Sequence, residues 1–441
     1  MLKRRVRNIL LSVFLCMAAI PAAAQETAYN AYSPYSMFGI GDISKQGSAY
    51  NMSMGGVGIA TRDKRAVNYL NPASVTAREE KSFMADFSVR QGNRYYSQAG
   101  GVKSVNNTFN LYDVVLSFSL WKNVAMYGGF SPYSDIGYTI TSKEDNSDII
   151  ARTGDITYTS EGYGGLSDLF AGIGVSPLKG FSIGAEYQHL FGNLHKNSSM
   201  VPSGSTYRSI YSGYNMNLSA DTFKFGAQYE FPVGKKVTAT LGATYKLGAN
   251  LKGTVRDFEY ELLSSVTDTT RINIDTLANN PGRVRISGEL GLGIALKGDD
   301  KWTAEVNYYR SGWGSSGMDK VTGFAVVGNA VFSATNSQSL RAGFSICPNR
   351  NDIRYYRRTI TYRAGAYWDQ AYCKVDGSSV DAFGLTFGMT LPVYRAHNGV
   401  TLGVDIGQRG RMAGNLIRER YINFHIGLNI FDIWFLKPRY D

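Results

Sequence analysis

The sequence predicts an all-β fold: a 14-stranded antiparallel transmembrane β-barrel with an N-terminal hatch, or plug, in its lumen. Three observations predict it. From Ser82 onward the chain repeats segments of about ten residues in which apolar and polar side chains alternate, the links between them are by turns short and long, and the tryptophans gather at segment ends. Composition agrees. The 441 residues include 49 Gly, 22 Phe, 30 Tyr and 5 Trp, and only 18% are charged, where a soluble domain carries about 25%.

In chain order, residues 1–24 read as a signal peptide. Lys3, Arg4, Arg5 and Arg7 make a basic start, Ile9 to Ile20 a short apolar core, and Ala22-Ala23-Ala24 a cleavage site before Gln25. The chain is therefore expected to be exported, and with the barrel pattern its destination is the outer membrane of a Gram-negative cell. Cys16 follows Phe14-Leu15, where lipid attachment calls for a small residue. Cleavage removes four of the 46 basic residues and none of the 35 acidic ones, and the remaining positive charge is scattered apart from Arg354 to Arg358. Nucleic acid is not an expected partner.

Residues 25–81 show no alternation and are read as the hatch. The segment is barely long enough to fold alone, yet it must bury Met37, Phe38, Ile40, Met52, Met54, Val57 and Ile59, and a barrel lumen is the nearest surface. Gly55, Gly56 and Gly58 permit positive φ and close backbone approach. Asn71, held extended by Pro72, can bond local backbone and turn the chain toward the first strand.

Residues 82–435 form the barrel, with 436–441 a periplasmic tail. Strands are expected near 82–92, 109–121, 123–132, 165–176, 180–192, 215–231, 236–250, 283–297, 301–312, 336–347, 356–370, 380–392, 399–408 and 419–433. In 283–297, Val284, Ile286, Leu290, Leu292, Ile294 and Leu296 share one face and Arg283, Arg285, Ser287 and Glu289 the other. In the last strand, Ile422, Phe424, Ile426, Leu428 and Ile430 oppose Asn423, His425, Gly427 and Asn429. Short links such as Lys122-Asn123 and Gly298-Asp299-Asp300 belong to the periplasmic rim; 133–164, 193–214, 251–282, 313–335, 371–379 and 409–418 are expected as outer loops. Trp121, Trp302 and Trp434 then fall at periplasmic strand ends, and Trp313 and Trp368 at outer ends, as an aromatic girdle requires.

The polar face carries Asp86, Arg90, Glu186, Lys224, Glu230, Lys246, Arg285, Glu289, Glu305, Arg341, Arg363 and Asp405. Buried charges need partners or water, and mixed signs on neighbouring strands predict ion-pair ladders between strands. Gly128, Gly129 and Pro132 interrupt the third strand; they are read either as its end or as a lateral opening in the wall.

Catalytic residues, cofactors and metal ligands are not expected. His189, His195, His397 and His425 lack metal-ligand spacing, and Gly291-x-Gly293 lies mid-strand without a following helix. Cys347 and Cys373 fall at opposite ends of the wall, about 25 Å apart, too far for a disulfide.

Met54-Gly55-Gly56-Val57-Gly58-Ile59-Ala60, followed by Asn71-Pro72-Ala73, resembles the plug signature of FadL-type (FadL/TodX-like) outer-membrane transport proteins. The opening Tyr32-Ser33-Pro34-Tyr35-Ser36-Met37-Phe38-Gly39 and the ending after Trp434 look like the branch found in Bacteroidota. Ser74-Val75 departs from the usual Gly and apolar residue after Asn-Pro-Ala. The resemblance implies a hatch-gated channel for passive uptake of hydrophobic or amphipathic small molecules, long-chain fatty acid-like. Met37, Phe38, Ile40 and Met54 would be the substrate-binding candidates, and Gly128, Gly129 and Pro132 the lateral-opening candidates. Membrane lipid, lipopolysaccharide and a hydrophobic ligand would be the partners. The second reading is an interaction protein in outer-membrane protein secretion or assembly, with an envelope protein as partner and no permeating substrate. Tyr207, Tyr211, Tyr214, Phe258 and Tyr260 are its cue. A general hydrophilic porin is disfavoured by the plug.

Overall fold

A computed structural model describes residues 32–433, apart from 205, 264–265, 278–282, 322, 325, 328–329, 394–397 and 414–415. Fourteen antiparallel strands close into a barrel: β1 (Ser82–Ser97), β2 (Lys103–Trp121), β3 (Val124–Lys143), β4 (Ile156–Leu178), β5 (Phe181–Pro202), β6 (Ser209–Gly234), β7 (Val237–Lys246), β8 (Glu289–Gly298), β9 (Trp302–Ser311), β10 (Ser337–Ile346), β11 (Thr361–Val375), β12 (Ser378–Pro392), β13 (Gly399–Arg409) and β14 (Arg418–Ile433). Each pairs with its sequence neighbour, and β14 returns to β1 with Ser82 opposite Ile433 and Ser97 opposite Arg418. Every expected strand has its counterpart, and both ends of the wall lie on one rim.

Alternation sets the two faces. Leu290, Leu292, Ile294 and Leu296 on β8 and Phe424, Ile426, Leu428 and Ile430 on β14 are all exposed, an apolar outer surface fit for lipid, while Asn423, His425 and Asn429 are buried inside. Tight turns fix the short-link rim, with Asn123 at φ +83° and Asp299 at φ +47°.

Several strands run far beyond the expected ends. β3 continues to Lys143, β4 starts at Ile156 and β6 spans 26 residues, so much of the expected outer loops is strand. In these extensions the apolar alternation fades, and its loss does not end a ladder. The 371–379 loop is a tight hairpin in which Asp376 and Gly377, at φ +48° and +77°, supply the Asp-Gly turn. A further hairpin, Lys252–Leu263 with Val266–Thr276, extends the sheet from β6.

Three other expectations are corrected. Trp313 is buried rather than in the girdle: it begins a 3₁₀ turn just past β9 and packs on Tyr372, with ring centroids 5.0 Å apart. Arg285 is exposed rather than inward, because the phase breaks at Ser287-Gly288; Val284 and Ile286 point to the core, whereas Leu290 and Leu292 point out. Pro132 does not end its strand, and a bulge carries β3 past it. Trp121 and Trp368 are exposed, and Trp434 and His397 lie outside the described residues. Cys347 and Cys373 are both free and buried.

Candidate functional site

Residues 33–77 are bonded to the inward face of strands all around the barrel. The segment has little regular structure: a 3₁₀ turn at Pro34–Met37, a short helix at Ala49–Met52, and a 3₁₀ helix at Pro72–Ala77 capped by Asn71. Small residues on the wall make room for it. A Cβ on Gly242 would lie 2.3 Å from the Ile59 carbonyl oxygen, and one on Gly226 2.0 Å from Asn71 Oδ1.

The glycine and Asn-Pro residues sit where this packing is closest. Gly55 and Gly56 both adopt φ +76°, and the Gly55 N–H donates to Thr386 Oγ1 of β12 at 2.7 Å. Gly58 does not need positive φ; a Cβ there would stand 2.5 Å from Asn51 Nδ2 and 2.7 Å from Leu70 Cδ1. Asn71 is fully buried. Its Nδ2 donates to the carbonyls of Ile59 at 2.8 Å and Ala227 at 3.2 Å, and its Oδ1 accepts from Ala73 N–H at 3.0 Å, the step into which Pro72 locks the chain.

Of the four substrate-binding candidates, Met37, Phe38 and Ile40 come together. They belong to one apolar cluster under the outer loops, where the Phe38 ring stacks on Phe332 with centroids 5.5 Å apart. Met54 is equally buried but outside that cluster, against Gly343 of β10. None of the four lines the main cavity, which measures about 270 Å³ and is walled by charged and polar groups including Asp42, Lys45, Arg94, Lys246 and Asp369.

Ion pairs surround that cavity, and most were not expected in this form. Lys224 Nζ does meet Glu186 of the next strand at 2.7 Å. Glu230 and Glu305, however, pair with the inner segment rather than with neighbouring strands: Glu230 with Arg62 at 3.6 Å, and Glu305 with Ala60 N–H at 2.8 Å and the Thr61 hydroxyl. A filled lumen brings these groups closer than the next strand does. At the outer end, Asp42 meets Arg409 Nη1 at 2.8 Å and Arg94 Nη1 at 3.8 Å, and Ser33 donates to Glu419. Lys45 reaches Asp369 at 3.1 Å, and Asp369 also meets Arg341 at 3.5 Å. Continuing the inward parity from Arg90 to Arg94 and from Asp405 to Arg409 would have found two of these residues; nothing local marks Asp42 or Lys45. On the periplasmic turn, Asp352 is held below the ordinary carboxylate range by N–H groups of Tyr355 and Arg354 and by Arg358.

The lateral-opening candidates lie where two strands part. β2 and β3 pair from Trp121–Val124 only as far as Val114–Phe130. Gly128 and Gly129 stand in the last paired stretch, and Pro132 stands just beyond, on the open edge where a missing N–H is tolerated. The inner segment covers this edge of β3: Asp42 pairs with Asp135, Ile43 with Ser134, and Ser33 N–H donates to Gly137 O at 2.7 Å.

A family model described as BamG matches residues 2–441. A search of curated proteins returns no match. Among solved structures, the Pseudomonas putida toluene transporter TodX aligns with TM-score 0.58 at 12% identity, over 91% of this chain and all of that one. The CymD monoaromatic hydrocarbon channel gives 0.56 at 11% identity over 89% and 98%, and a Pseudomonas aeruginosa FadL homologue 0.56 at 11% over 89% and 100%. These similar structures are channels and transporters rather than enzymes, and they share the closed 14-stranded fold.

Proposed function

The chain belongs to the BamG family, and we propose that it is an outer-membrane barrel whose hatch stays seated, working as a partner of other envelope proteins in outer-membrane protein secretion or assembly. The observation that carries this reading is the clamp on the hatch. Asp42, Lys45, Arg62, Ala60 and Thr61 are tied to charged groups on β1, β6, β9, β11 and β13. Unseating the hatch would separate these partners together and leave Glu305, Asp369 and Arg409 of the wall with water in their place. The cavity that remains sets Asp42, Lys45, Arg94, Lys246 and Asp369 beside Met52, Leu70 and Trp313, and an alkyl chain gains its ~0.8 kcal/mol per methylene only from the apolar part of such a lining. Outside, Tyr211 stacks on Tyr260 at 5.0 Å and Phe258 lies beside it, an aromatic ladder on the outer extension suited to holding polypeptide.

The second reading is a hydrophobic-compound channel with Met37, Phe38 and Ile40 as its binding cluster. The fold shared with TodX and CymD and the parting of β2 from β3 favour it.

Mass spectrometry of the protein purified from membranes in mild detergent separates the two. A stoichiometric complex with envelope proteins and no bound amphiphile is the expected result. A stoichiometric hydrophobe, lost when Phe38 and Ile40 are replaced by Asp, would overturn the partner reading and establish the channel.

A further inference from the structure

We propose that the open edge of β2, residues 104–112, is a docking edge that takes an extended polypeptide segment of a partner protein as an added wall strand. This inference rests on the partner reading and names its contact.

β2 is paired with β1 along nearly its whole length, from Phe118 opposite Phe83 to Lys103 opposite Ser97. Its ladder with β3 stops at Val114. Among the described residues this is the longest run of barrel wall with a neighbour on one side only. The two edges of the seam are not equivalent. The β3 edge is already covered from within, by Asp42 and Ile43, by Ser44 N–H donating to Tyr133 O at 2.9 Å, and by Ser33. Among the described residues the β2 edge has no such cover: Tyr112 donates its hydroxyl to Lys45 O, but no second strand of them lies along 104–112.

The chemistry of the edge selects the occupant. Alternate residues of an edge strand present unpaired N–H and C=O groups in fixed register. A hydrocarbon offers nothing to bond them, and near the bilayer such groups must be satisfied. Another peptide backbone complements all of them together. Natural edges are normally protected by charge or proline, yet Ser104 to Tyr112 contain neither, and Val105, Thr108, Phe109 and Tyr112 favour strand. Val105 and Phe109 stand exposed on the outer face, while Asn106 and Asn110 alternate with them. The fitting segment is therefore barrel-strand-like, with apolar residues on one face, polar ones on the other and no net charge.

The test uses the full mature chain in detergent and a fluorescein-labelled nine-residue peptide of alternating Val and Ser, read by fluorescence anisotropy. Saturable binding is expected. It should weaken at least tenfold with Phe109→Asp, which leaves the β1–β2 ladder intact, and with a peptide N-methylated at alternate amides, which keeps the side chains and removes the donors. Absent binding, or binding indifferent to N-methylation, would overturn the proposal. In membranes, a photoreactive benzoylphenylalanine in place of Phe109 should crosslink to a polypeptide, and the same group in place of the outward Phe387 should not. If envelope proteins still co-purify with the Phe109→Asp chain, the docking edge is refuted and the partner reading stands; if none co-purify even with the unaltered chain, the partner reading itself falls.

Discussion

The proposed seating of the hatch makes a quantitative demand on Asp42. Its carboxylate is the shared partner of Arg409 at 2.8 Å and Arg94 at 3.8 Å, with both guanidinium side chains largely buried. Among the described residues, Asp42→Ala leaves Arg409 with no ion pair and only the longer-range attraction of Glu419 across the strand pair, while Arg94 retains Glu419 at 3.9 Å. Stranding a buried charge costs about 3–5 kcal/mol; at ~1.4 kcal/mol per decade, even the lower end raises the unseated population on the order of a hundredfold. Cys373 reports that population directly, because its thiol is buried in the same cluster as Tyr35 and Phe38. With Cys347 replaced by Ser, the maleimide labelling rate of Cys373 should rise by about that factor. Asp42→Ala with Arg409→Ala should recover part of the protection by removing the stranded charge. A labelling rate unchanged in Asp42→Ala would show that the clamp does not hold the hatch, and the argument for a sealed lumen would fail with it.

Asn71→Ala removes the bonds donated to Ile59, Ala227 and Ala243 and the cap at Ala73; with buried carbonyls left bare it should cost about 2–3 kcal/mol in urea unfolding from lipid vesicles. Gly242→Val drives side-chain atoms into the Ile59 carbonyl, and should lower the heating temperature at which the barrel loses its compact gel mobility, by overpacking worth about 1–3 kcal/mol. Asp352 has a depressed folded-state value, so its contribution to turn order is present above the ordinary carboxylate range near ~3.9 and is lost as pH falls through the folded value. Limited proteolysis between residues 348 and 360 should thus be slow at pH 6 and quicken only under strong acid, whereas Asp352→Asn should be cut faster than the parent at pH 6 and no faster under strong acid.

The candidate site was legible in the sequence to the extent that its residues announce backbone needs. Gly55, Gly56 and Asn71-Pro72 could be read because positive φ and an extended residue before proline are local requirements. Gly128, Gly129 and Pro132 lie where the β2–β3 ladder stops, and nothing local in them shows that β3 continues to Lys143. The family resemblance, together with their apolarity, points to Met37, Phe38 and Ile40 as a ligand surface; in the folded chain they pack with Phe332 and the residues around it. Asp42 and Lys45 escaped notice because their meaning lies in Arg409 and Asp369, more than three hundred residues away in the chain.

Alternation with period two and the turn residues between segments determined the strand count, the antiparallel order and which side chains face lipid, since side-chain direction along a strand is a local property. Only the tertiary structure decided how far β3, β4 and β6 extend beyond the membrane, which charges of the lumen pair with the hatch, and where the wall is open. Alternation records the side on which a residue stands. Whether a neighbour stands there to meet it depends on contacts between distant parts of the chain, and the seam between β2 and β3 is invisible until both strands are in place.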